Sequence, residues 1–368
     1  MKKVKLGIIA EGDMRSYGGG EKYLIELSRR LKNFDITIYS YLNTKNARIG
    51  IEKLKKMSKA KIKFFKSFSL PILKERLPLT ISGISLLLGL DKYDSIYITD
   101  PSMPTIFMIL IFLKLRRAKT KVIFGVHDPG FLRDVPQKNN LLRRFLLRFY
   151  RPIYKLVLFK IPNIHVLNEE DEKKLRVEGY AGKIYFIPNF LYYNKPSIKI
   201  YENKKRFVVL FGGRLAIYHK GIDLLVNIIE NVLNRNKNIE FHIFGSGEDG
   251  QEIIKNLAKE YPKNIKYLGF ISNEKLEEEY KKSSLFIMTS RIESFSLVTL
   301  EAQAHGLPVI AFDIKGPRDI IKKSFQGILV KPFDTNSFSK QIIKYYNLWK
   351  NGNLDKWFKL KIRDFIFS

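Results

Sequence analysis

The sequence of 368 residues contains no cysteine. It therefore has no disulfide framework, no cysteine-based metal site and no cysteine nucleophile. No set of histidine, aspartate and glutamate residues has the spacing of metal ligands. Neither a G-x-S-x-G nucleophile elbow nor a phosphate-loop lysine motif is present. We expect no bound metal and no cofactor.

Long apolar runs are also missing. The longest nearly charge-free runs, LPLTISGISLLLGL and PSMPTIFMILIFL, fall short of the ~18–20 residues that span a bilayer. The N-terminal MKKVKLGIIAEGD mimics a signal peptide, but its apolar stretch is short and an acid follows, so we interpret it as a first β-strand. We expect a cytoplasmic protein without a transmembrane helix, which the lack of cysteine fits.

Acidic residues are scarce, 36 against 66 lysines and arginines, and the net charge is +30. The excess is uneven, because residues 1–200 hold 39 basic and 17 acidic residues, whereas residues 201–368 hold 27 and 19. This asymmetry suggests that the first half meets an anionic surface, either a membrane or a nucleic acid. The alternative is an ordinary solvated basic face.

Short apolar segments alternate along the chain with helical patterns of about ten residues, which is typical of parallel sheets covered by helices on both faces. The pattern stops in a polar stretch and then restarts. We predict two doubly wound, Rossmann-like parallel-sheet domains facing across a cleft, at 1–192 and 207–350, joined by a linker at 193–206. The tail, 351–368, is expected to form a helix that crosses back to the first domain.

The segment RIESFSLVTLEAQAHGLPVIAF, residues 291–312, carries two glutamates eight residues apart. Glu293 should lie in the loop after the strand SLFIMTS. Glu301 shares a helix face with Leu297, Val298 and Ala304, which places it on the apolar side facing the sheet. A buried carboxylate needs a polar partner. That partner is either a ligand's vicinal hydroxyls or, alternatively, a backbone amide or a lysine.

A glycine pair and two cations follow the first strand of the second half, in FGGRLAIYHKG. Gly213 and its neighbour let the backbone approach a ligand closely. Arg214 and Lys220 bring positive charge to the start of a helix at Gly221, so the loop is a candidate diphosphate site. A second glycine turn, FGSGE around Gly245, is equally consistent with a plain strand–helix connection.

The first half offers two further candidates. The turn YGGGEK brings Gly18 and Gly19 to the start of a helix, where it binds an anion or serves as a flexible connector. His127 ends the strand KVIFGVHD and could bond a hydroxyl or phosphate or shuttle a proton, or act as a structural donor. We treat His165 and His242 as core residues.

These motifs, taken together, resemble the large family of retaining, GT-B-fold glycosyltransferases usually called family 4. ESFSLVTLE matches the E-x7-E motif of that family, and AQAHGLPVIA follows it as in the family. GGRL…KG matches the family's phosphate loop, and YGGGEK matches its N-terminal glycine motif. The resemblance covers nearly the whole chain.

The resemblance implies a role for each matching residue. Arg214 and Lys220 would hold the donor diphosphate, Glu301 the ribose hydroxyls and Glu293 the sugar ring, while His127 would lie beside the sugar. The residues with an implied catalytic role are Glu293, His127, Arg214 and Lys220. The residues with an implied donor-binding role are Gly18, Gly19, Gly213, Arg214, Lys220, Gly245, Ile271, Glu293, Ser294, Phe295, Ser296, Leu297 and Glu301.

The family also implies a reaction. The donor would be a UDP- or GDP-linked sugar, no metal would be needed, and the anomeric configuration would be retained without a clear protein nucleophile. The group that the protein stabilises is then the departing diphosphate.

Residues 101–160 hold 13 basic residues and only two acids. Within them NNLLRRFLLRFYRPIYKLVLFK alternates basic and large apolar residues, a pattern typical of a helix in a membrane interface. A second basic and aromatic stretch is 54–68. We predict peripheral binding to the anionic inner face of the cell membrane and a lipid-linked or polysaccharide acceptor. An ordinary surface helix is the alternative.

Three rival classes remain. A nucleic-acid binder would explain the charge but not Glu293, Glu301 or the cationic loop, so we expect no nucleic-acid partner. An inactive scaffold of the same fold is disfavoured because Arg214 and Lys220 are present. A GT-B-like nucleotide-sugar epimerase fits the E-x7-E segment less well.

Overall fold

The computed structural model describes residues 3–10, 12–16, 18–42, 47, 49–66, 68–70, 75–77, 86–99, 103–117, 119–126, 148, 152–191, 206–247, 249–354 and 356–367. Its internal contacts divide the chain into two compact units, Met1–Tyr192 and Tyr193–Ser368. The predicted linker at 193–206 lies outside the described residues except for Arg206, and His127 lies outside them as well.

The first unit is built on a seven-stranded sheet. Its strands are β1 (Val4–Ala10), β2 (Phe34–Tyr41), β3 (Lys61–Phe65), β6 (Ser95–Thr99), β7 (Lys121–Gly125), β8 (Asn163–Val166) and β9 (Lys183–Phe186), and β4 (Phe68–Leu70) and β5 (Glu75–Leu77) form a separate antiparallel pair. The order across the sheet is β3-β2-β1-β6-β7-β8-β9, and every pairing is parallel.

Helices cover both faces of this sheet. They are α1 (Gly19–Arg30), α2 (Ile51–Met57), α3 (Met103–Leu115), α4 (152–159) and α5 (Glu169–Val177), with short helical turns at 86–88, Met14–Ser16 and Leu90–Lys92. Side chains of α1 and α2 pack with the even-numbered residues of β1 and β2, whereas α3, α4 and α5 pack with the opposite face. Alternation of side chains along each strand makes both faces apolar.

The second unit repeats the plan with six parallel strands. They are β10 (Phe207–Gly212), β11 (Ile239–Phe244), β12 (Ile265–Gly269), β13 (Leu285–Met288), β14 (Val309–Phe312) and β15 (Gly327–Val330), in the order β12-β11-β10-β13-β14-β15. Its helices are α6 (Ile217–Lys220), α7 (Ile222–Leu233), α8 (Gln251–Glu260), α9 (Asn273–Lys282), α10 (Leu297–Ala304), α11 (Pro317–Ile320), α12 (Thr335–Lys350) and α13 (Lys356–Ile366).

The core of the second unit again lies on two faces. Helices α7, α8 and α12 pack with Val209 and Phe211 of β10, while α9 and α10 pack with Leu210 on the other side. Both units are therefore doubly wound parallel sheets, and the predicted fold class is confirmed for each of them. The helix expected near the C-terminus is α13, which packs on α10 of its own unit. That this tail crosses back to the first domain stays a prediction.

One predicted stretch has a different role in the structure. Residues 54–68 include the edge strand β3, whose two phenylalanines pack within the first unit. Phe65 is buried against Tyr41 at a ring distance of 4.4 Å, and Phe64 is partly buried beneath the guanidinium of Arg15. These two rings contribute to opposite faces of the sheet, and membrane binding by this stretch stays a prediction.

Among the helices that the structure describes, none is both long enough and apolar enough to cross a membrane.

Candidate functional site

The order of the second sheet defines where a ligand can bind. From β10 the chain proceeds outward to β11 and β12, and then returns to add β13, β14 and β15 on the other side of β10. The strand order therefore reverses between β10 and β13. In open parallel sheets, ligands bind beyond the carboxyl ends of the strands at such a switch point. The segments after β10 and β13 carry four of the predicted residues, namely Gly213, Arg214, Lys220 and Glu293.

Backbone contacts hold the glycine loops after β10 and β11 together. The Gly213 amide donates to the Phe244 carbonyl at 3.3 Å, and the Leu215 amide donates to the Ser246 carbonyl at 3.0 Å. Gly245 has a φ of +124°, and a Cβ atom on it would lie 1.8 Å from the Gly213 carbonyl oxygen. Only glycine fits there. Gly245 thus lies where the backbone after β11 comes into close contact with the backbone at Gly213, beside the cationic loop.

The two predicted cations differ in environment. Arg214 is exposed, and none of the described residues holds its guanidinium by a hydrogen bond or ion pair. Lys220, the last residue of α6, is largely buried and donates to Oε1 of Glu293. This ion pair joins the loop after β10 to the loop after β13 and so spans the switch point. The structure thereby brings together two residues that are 73 positions apart in the sequence.

Glu293 has further polar and steric partners. Its side chain is 10% exposed, and the Ser290 hydroxyl donates to the same Oε1 at 2.8 Å. Gly316 has a φ of +91°, and a Cβ atom on it would lie 3.0 Å from Cβ of Glu293. The glycine before α11 therefore leaves the space that the Glu293 loop occupies.

Arg291, two residues before Glu293, fixes the loop after β13 to the start of α7. Its guanidinium donates to both carboxylate oxygens of Asp223 at 2.7 and 2.6 Å, and its backbone amide donates to the His219 carbonyl at 2.9 Å. The hydrogen bond from Arg291 lowers the pKa of Asp223, and the same bond raises the pKa of Arg291. The bidentate pair and the amide bond therefore tie together the two backbone segments that carry Lys220 and Glu293. Sequence reasoning missed it, because no local motif links positions 68 apart.

The first turn of α10 lies between the two glutamates. Ser296 has a φ of +72°, and its hydroxyl lies 2.8 Å from both the Met288 sulfur and the Thr299 hydroxyl. Phe295 is buried, whereas Ser294 and Leu297 are partly exposed. The side chains of Phe295 and Ser296 therefore face the protein, and what this turn can offer a ligand there is backbone amides at a helix N-terminus.

Glu301 lies on the sheet-facing side of α10 and is 6% exposed, as the helical spacing predicts. Its Oε2 accepts a hydrogen bond of 3.1 Å from the Tyr280 hydroxyl. One polar partner is thus a tyrosine from the neighbouring helix α9, a residue type that the sequence analysis did not propose. The sequence offered one signal, a lone tyrosine near the C-terminal end of the charged helix NEKLEEEYKK.

Ile271 lies next to the loop of Gly245. The Gly245 amide donates to the Gly269 carbonyl at 2.7 Å, and Ile271 packs partly buried in the apolar cluster of Phe244. The chain after β12 therefore reaches the same end of the sheet as the glycine loops.

In the first unit, Gly18 caps α1 and Gly19 begins it, directly beyond the carboxyl end of β1. The sheet order reverses there too, between β1 and β6. Cβ atoms on Gly12 and Gly18 would lie 2.8 and 2.9 Å from the carboxylate of Glu21, so the two glycines leave room for that side chain. Glu21 is an additional acid at this point that sequence reasoning did not single out.

The two histidines expected in the core are buried. His165 lies 2.8 Å from the Tyr97 hydroxyl, and His242 lies 2.6 Å from Glu279. Burial opposes the charge of Glu279, but the hydrogen bond and charge of His242 outweigh burial and lower its pKa. Both histidines therefore belong to the packing of the sheets.

Comparison with known proteins agrees with this geometry. Residues 195–357 match the model of the family Glycosyl transferases group 1. An uncharacterized glycosyltransferase of Methanocaldococcus jannaschii is 32% identical over 155 residues, which are 42% of this chain and 38% of that protein. The chain thus spans well under half of that relative. The amylovoran biosynthesis glycosyltransferase AmsD of Erwinia amylovora is 26% identical over 348 residues, covering 92% of this chain and 89% of the relative.

A solved structure resembles the whole chain. The Staphylococcus aureus TarM G117R mutant, in complex with fondaparinux, alpha-GlcNAc-glycerol and UDP, superposes with a TM-score of 0.70 at 18% identity, over 99% of this chain and 96% of that chain. The chain has the GT-B fold. The family match to residues 195–357 and the names of the relatives together support a glycosyltransferase.

The close crossing of the glycine loops predicts unequal effects of two alanine substitutions. We expect Gly245→Ala to lower the free energy of unfolding of the protein by about 3 kcal/mol or more, because its Cβ meets the Gly213 backbone in addition to the φ strain. Gly269→Ala is the matched control: its φ is also positive, but its Cβ meets nothing within 4 Å. It should cost about 1 kcal/mol. Urea denaturation measures both, and equal losses would contradict the crossing.

Proposed function

We propose that the protein is a retaining, metal-independent glycosyltransferase of the family 4 type, which transfers a sugar from a nucleoside-diphosphate donor to a glycan acceptor. The observation that carries the proposal is the Lys220–Glu293 ion pair at the switch point, with Glu301 buried eight residues further along. These residues fall within the part of the chain that matches the glycosyltransferase family model.

In this proposal the cationic loop binds the donor diphosphate. Arg214 is exposed and uncompensated by any described residue, so it can pair directly with phosphate oxygens. Lys220 is oriented by Glu293 and adds a second positive charge. Negative charge grows on the diphosphate as the glycosidic bond breaks, and preorganised cations stabilise it most in that transition state.

In the proposal, the two glutamates bind different parts of the donor. Glu301, deep on α10, accepts hydrogen bonds from the vicinal hydroxyls of the ribose. Glu293 is anchored by Lys220 and Ser290, and it contacts the sugar ring. The amides of the first turn of α10, from Ser294 to Leu297, and the backbone at Gly213, Gly245 and Ile271 complete the donor site. Carboxylates suit both tasks because an ionised carboxylate is an acceptor for two or more hydroxyl groups.

The same arrangement supports our proposal of a retaining, metal-independent reaction. The cations of the loop supply the positive charge that a divalent metal would otherwise provide to the diphosphate. The departing diphosphate itself then takes the proton of the attacking hydroxyl on the same face of the sugar. The TarM structure is a complex that contains UDP and alpha-GlcNAc-glycerol, and on that likeness we infer an α-linked product for this chain. A UDP-linked sugar is the first donor to test.

The first unit would contribute Gly18, Gly19 and His127. Gly18 and Gly19 begin α1 beyond the carboxyl end of β1, where a helix N-terminus favours an anion. His127 lies outside the described residues, and its proposed role beside the sugar rests on the family resemblance.

We further propose that the acceptor is membrane-associated and that α4 meets an anionic membrane from the cytoplasmic side. Leu158 of α4 is buried in the core, whereas Ile153 and Leu156 are 51% and 66% exposed. Lys160, the residue after the helix, is also exposed. Apolar side chains rimmed by lysine suit the interface of an anionic bilayer.

The diphosphate role of the loop predicts a specific loss of affinity. Arg214→Ala and Lys220→Met should each weaken UDP binding about 10-fold or more, since a hydrogen bond to a charged group contributes roughly 1.5–3 kcal/mol. UMP binding should weaken less, so the preference for diphosphate over monophosphate falls. Calorimetric titration of UDP and UMP, then of GDP and GMP, measures the affinities and hence the preference for diphosphate over monophosphate. Arg235→Ala, at an exposed arginine just after α7, is the control. An unchanged diphosphate preference would refute the loop assignment.

The reaction itself can be followed at the anomeric carbon. With an α-linked UDP-sugar and a glycan acceptor, we expect an α-linked product by proton NMR and the same initial rate in excess EDTA, because the loop cations replace a metal. Glu293→Gln should lower kcat far more than the affinity for UDP, since it removes a sugar contact and the partner of Lys220. A β-linked product, or loss of activity in EDTA, would contradict the proposed mechanism.

Membrane contact through α4 can be tested with vesicles. The protein should float with phosphatidylglycerol vesicles and not with phosphatidylcholine vesicles. The double variant Ile153→Asp, Leu156→Asp should float at least 10-fold less, because both apolar contacts are lost and two negative charges are added. Val177→Asp, at an exposed valine on α5, is the matched control and should float like the wild type. If the wild-type protein floats with neither type of vesicle, the membrane proposal is wrong.

A further inference from the structure

The polar partner of Glu301 comes from a different helix and is itself deeply buried. Tyr280 is 2% exposed, near the end of α9, and its hydroxyl donates to Oε2 of Glu301 at 3.1 Å. A hydroxyl group at this depth is costly unless it is bonded, so the bond matters to both partners. The contact ties the carboxylate to a helix that carries none of the residues singled out from the sequence.

Three aromatic rings fix the plane of Tyr280. The His305 imidazole stacks on it at 4.7 Å with an interplanar angle of 20°, and Phe244 and Phe286 approach at 6.5 and 6.3 Å with angles of 82° and 51°. Stacked and edge-on contacts of this kind each favour one ring orientation. The Tyr280 hydroxyl therefore has little freedom to move away from Glu301.

His305 is bonded to the residue that Tyr280 contacts. Its Nδ1 lies 2.8 Å from the backbone carbonyl oxygen of Glu301. Burial lowers the pKa of His305, although the hydrogen bond to Glu301 works in the opposite direction. The imidazole is therefore neutral at neutral pH and acts as a donor and a stacking surface. Tyr280 and His305 together hold the side chain and the backbone of Glu301.

We propose that Tyr280 is a positioning residue for Glu301, held in place by His305, and that the pair sets the preference of the site for ribose over 2′-deoxyribose. This inference rests on the proposed function, in which Glu301 binds the vicinal hydroxyls of the ribose. With one carboxylate oxygen fixed by Tyr280, the group meets the two hydroxyls in a single orientation. A freely rotating carboxylate would lose part of that preference.

Tyr280→Phe tests the proposal because it removes the hydroxyl and keeps the ring among its aromatic neighbours. We expect the affinity for UDP to fall roughly 10- to 150-fold, the range of one hydrogen bond to a charged group. The affinity for 2′-deoxy-UDP should change little. The ratio of the two affinities therefore falls, and in a transfer assay KM for the donor rises more than kcat falls. GDP and ADP with their 2′-deoxy forms are measured in the same way.

The matched control is Tyr345→Phe. Tyr345 is equally buried in the same unit but packs in the cluster of α7 and α12, so its nucleotide affinities should equal those of the wild type. A double-mutant cycle adds a second test, since Tyr280→Phe should have no effect on binding once Glu301→Ala is present. His305→Asn, which removes the stacked ring, should also lower the ribose preference, but by less than Tyr280→Phe does.

The outcomes separate this inference from the function on which it rests. If wild type binds no nucleoside diphosphate, or if Glu301→Ala binds as tightly as wild type, the proposed function fails and the inference with it. If Glu301→Ala loses the ribose preference but Tyr280→Phe keeps it, the function stands and the positioning role is overturned. Equal losses for UDP and 2′-deoxy-UDP in Tyr280→Phe would also overturn it, because a merely structural role predicts that result.

Discussion

The ion pair between Lys220 and Glu293 is the contact on which the candidate site depends. It joins the loops after β10 and β13, the two strands between which the sheet order reverses. Both side chains are largely buried, and a buried charge without its partner is strongly destabilising. Each residue therefore needs the other in the absence of a ligand. A ligand that approaches this point meets a lysine and a carboxylate that already hold each other in place.

The rest of the site is arranged to keep that pair in position. Arg291 and Asp223 clamp the loop after β13 to the start of α7, and the Arg291 amide bonds the His219 carbonyl just before Lys220. Glu301 is held separately, by Tyr280. The site thus has two carboxylates, each with its own anchor, and one exposed arginine. Anchored acceptors and an exposed cation suit the proposed donor, whose sugar and ribose need fixed positions and whose diphosphate must bind and leave.

Much of the architecture follows from local sequence. Alternation of short apolar segments with helical patterns predicts two doubly wound units, and the spacing of Glu301 from Leu297 and Val298 predicts its burial. The partners are not predictable in this way. Tyr280 meets Glu301, and Arg291 meets Asp223, only because neighbouring strands bring α9, α10 and α7 together, and no local period encodes that. The packing of Phe65 against Tyr41 is not predictable either, since a basic and aromatic edge strand has the composition of a membrane-binding segment.

The central claim is that the loops after β10 and β13 hold a nucleoside diphosphate. Hydrogen–deuterium exchange of the whole protein, with and without saturating UDP, GDP or ADP, tests it most directly because it locates the bound nucleotide along the chain. The account predicts slower exchange at 213–221 and 291–301 and unchanged exchange in α12. Protection confined to the first unit, or none with any of the three nucleotides, would contradict it.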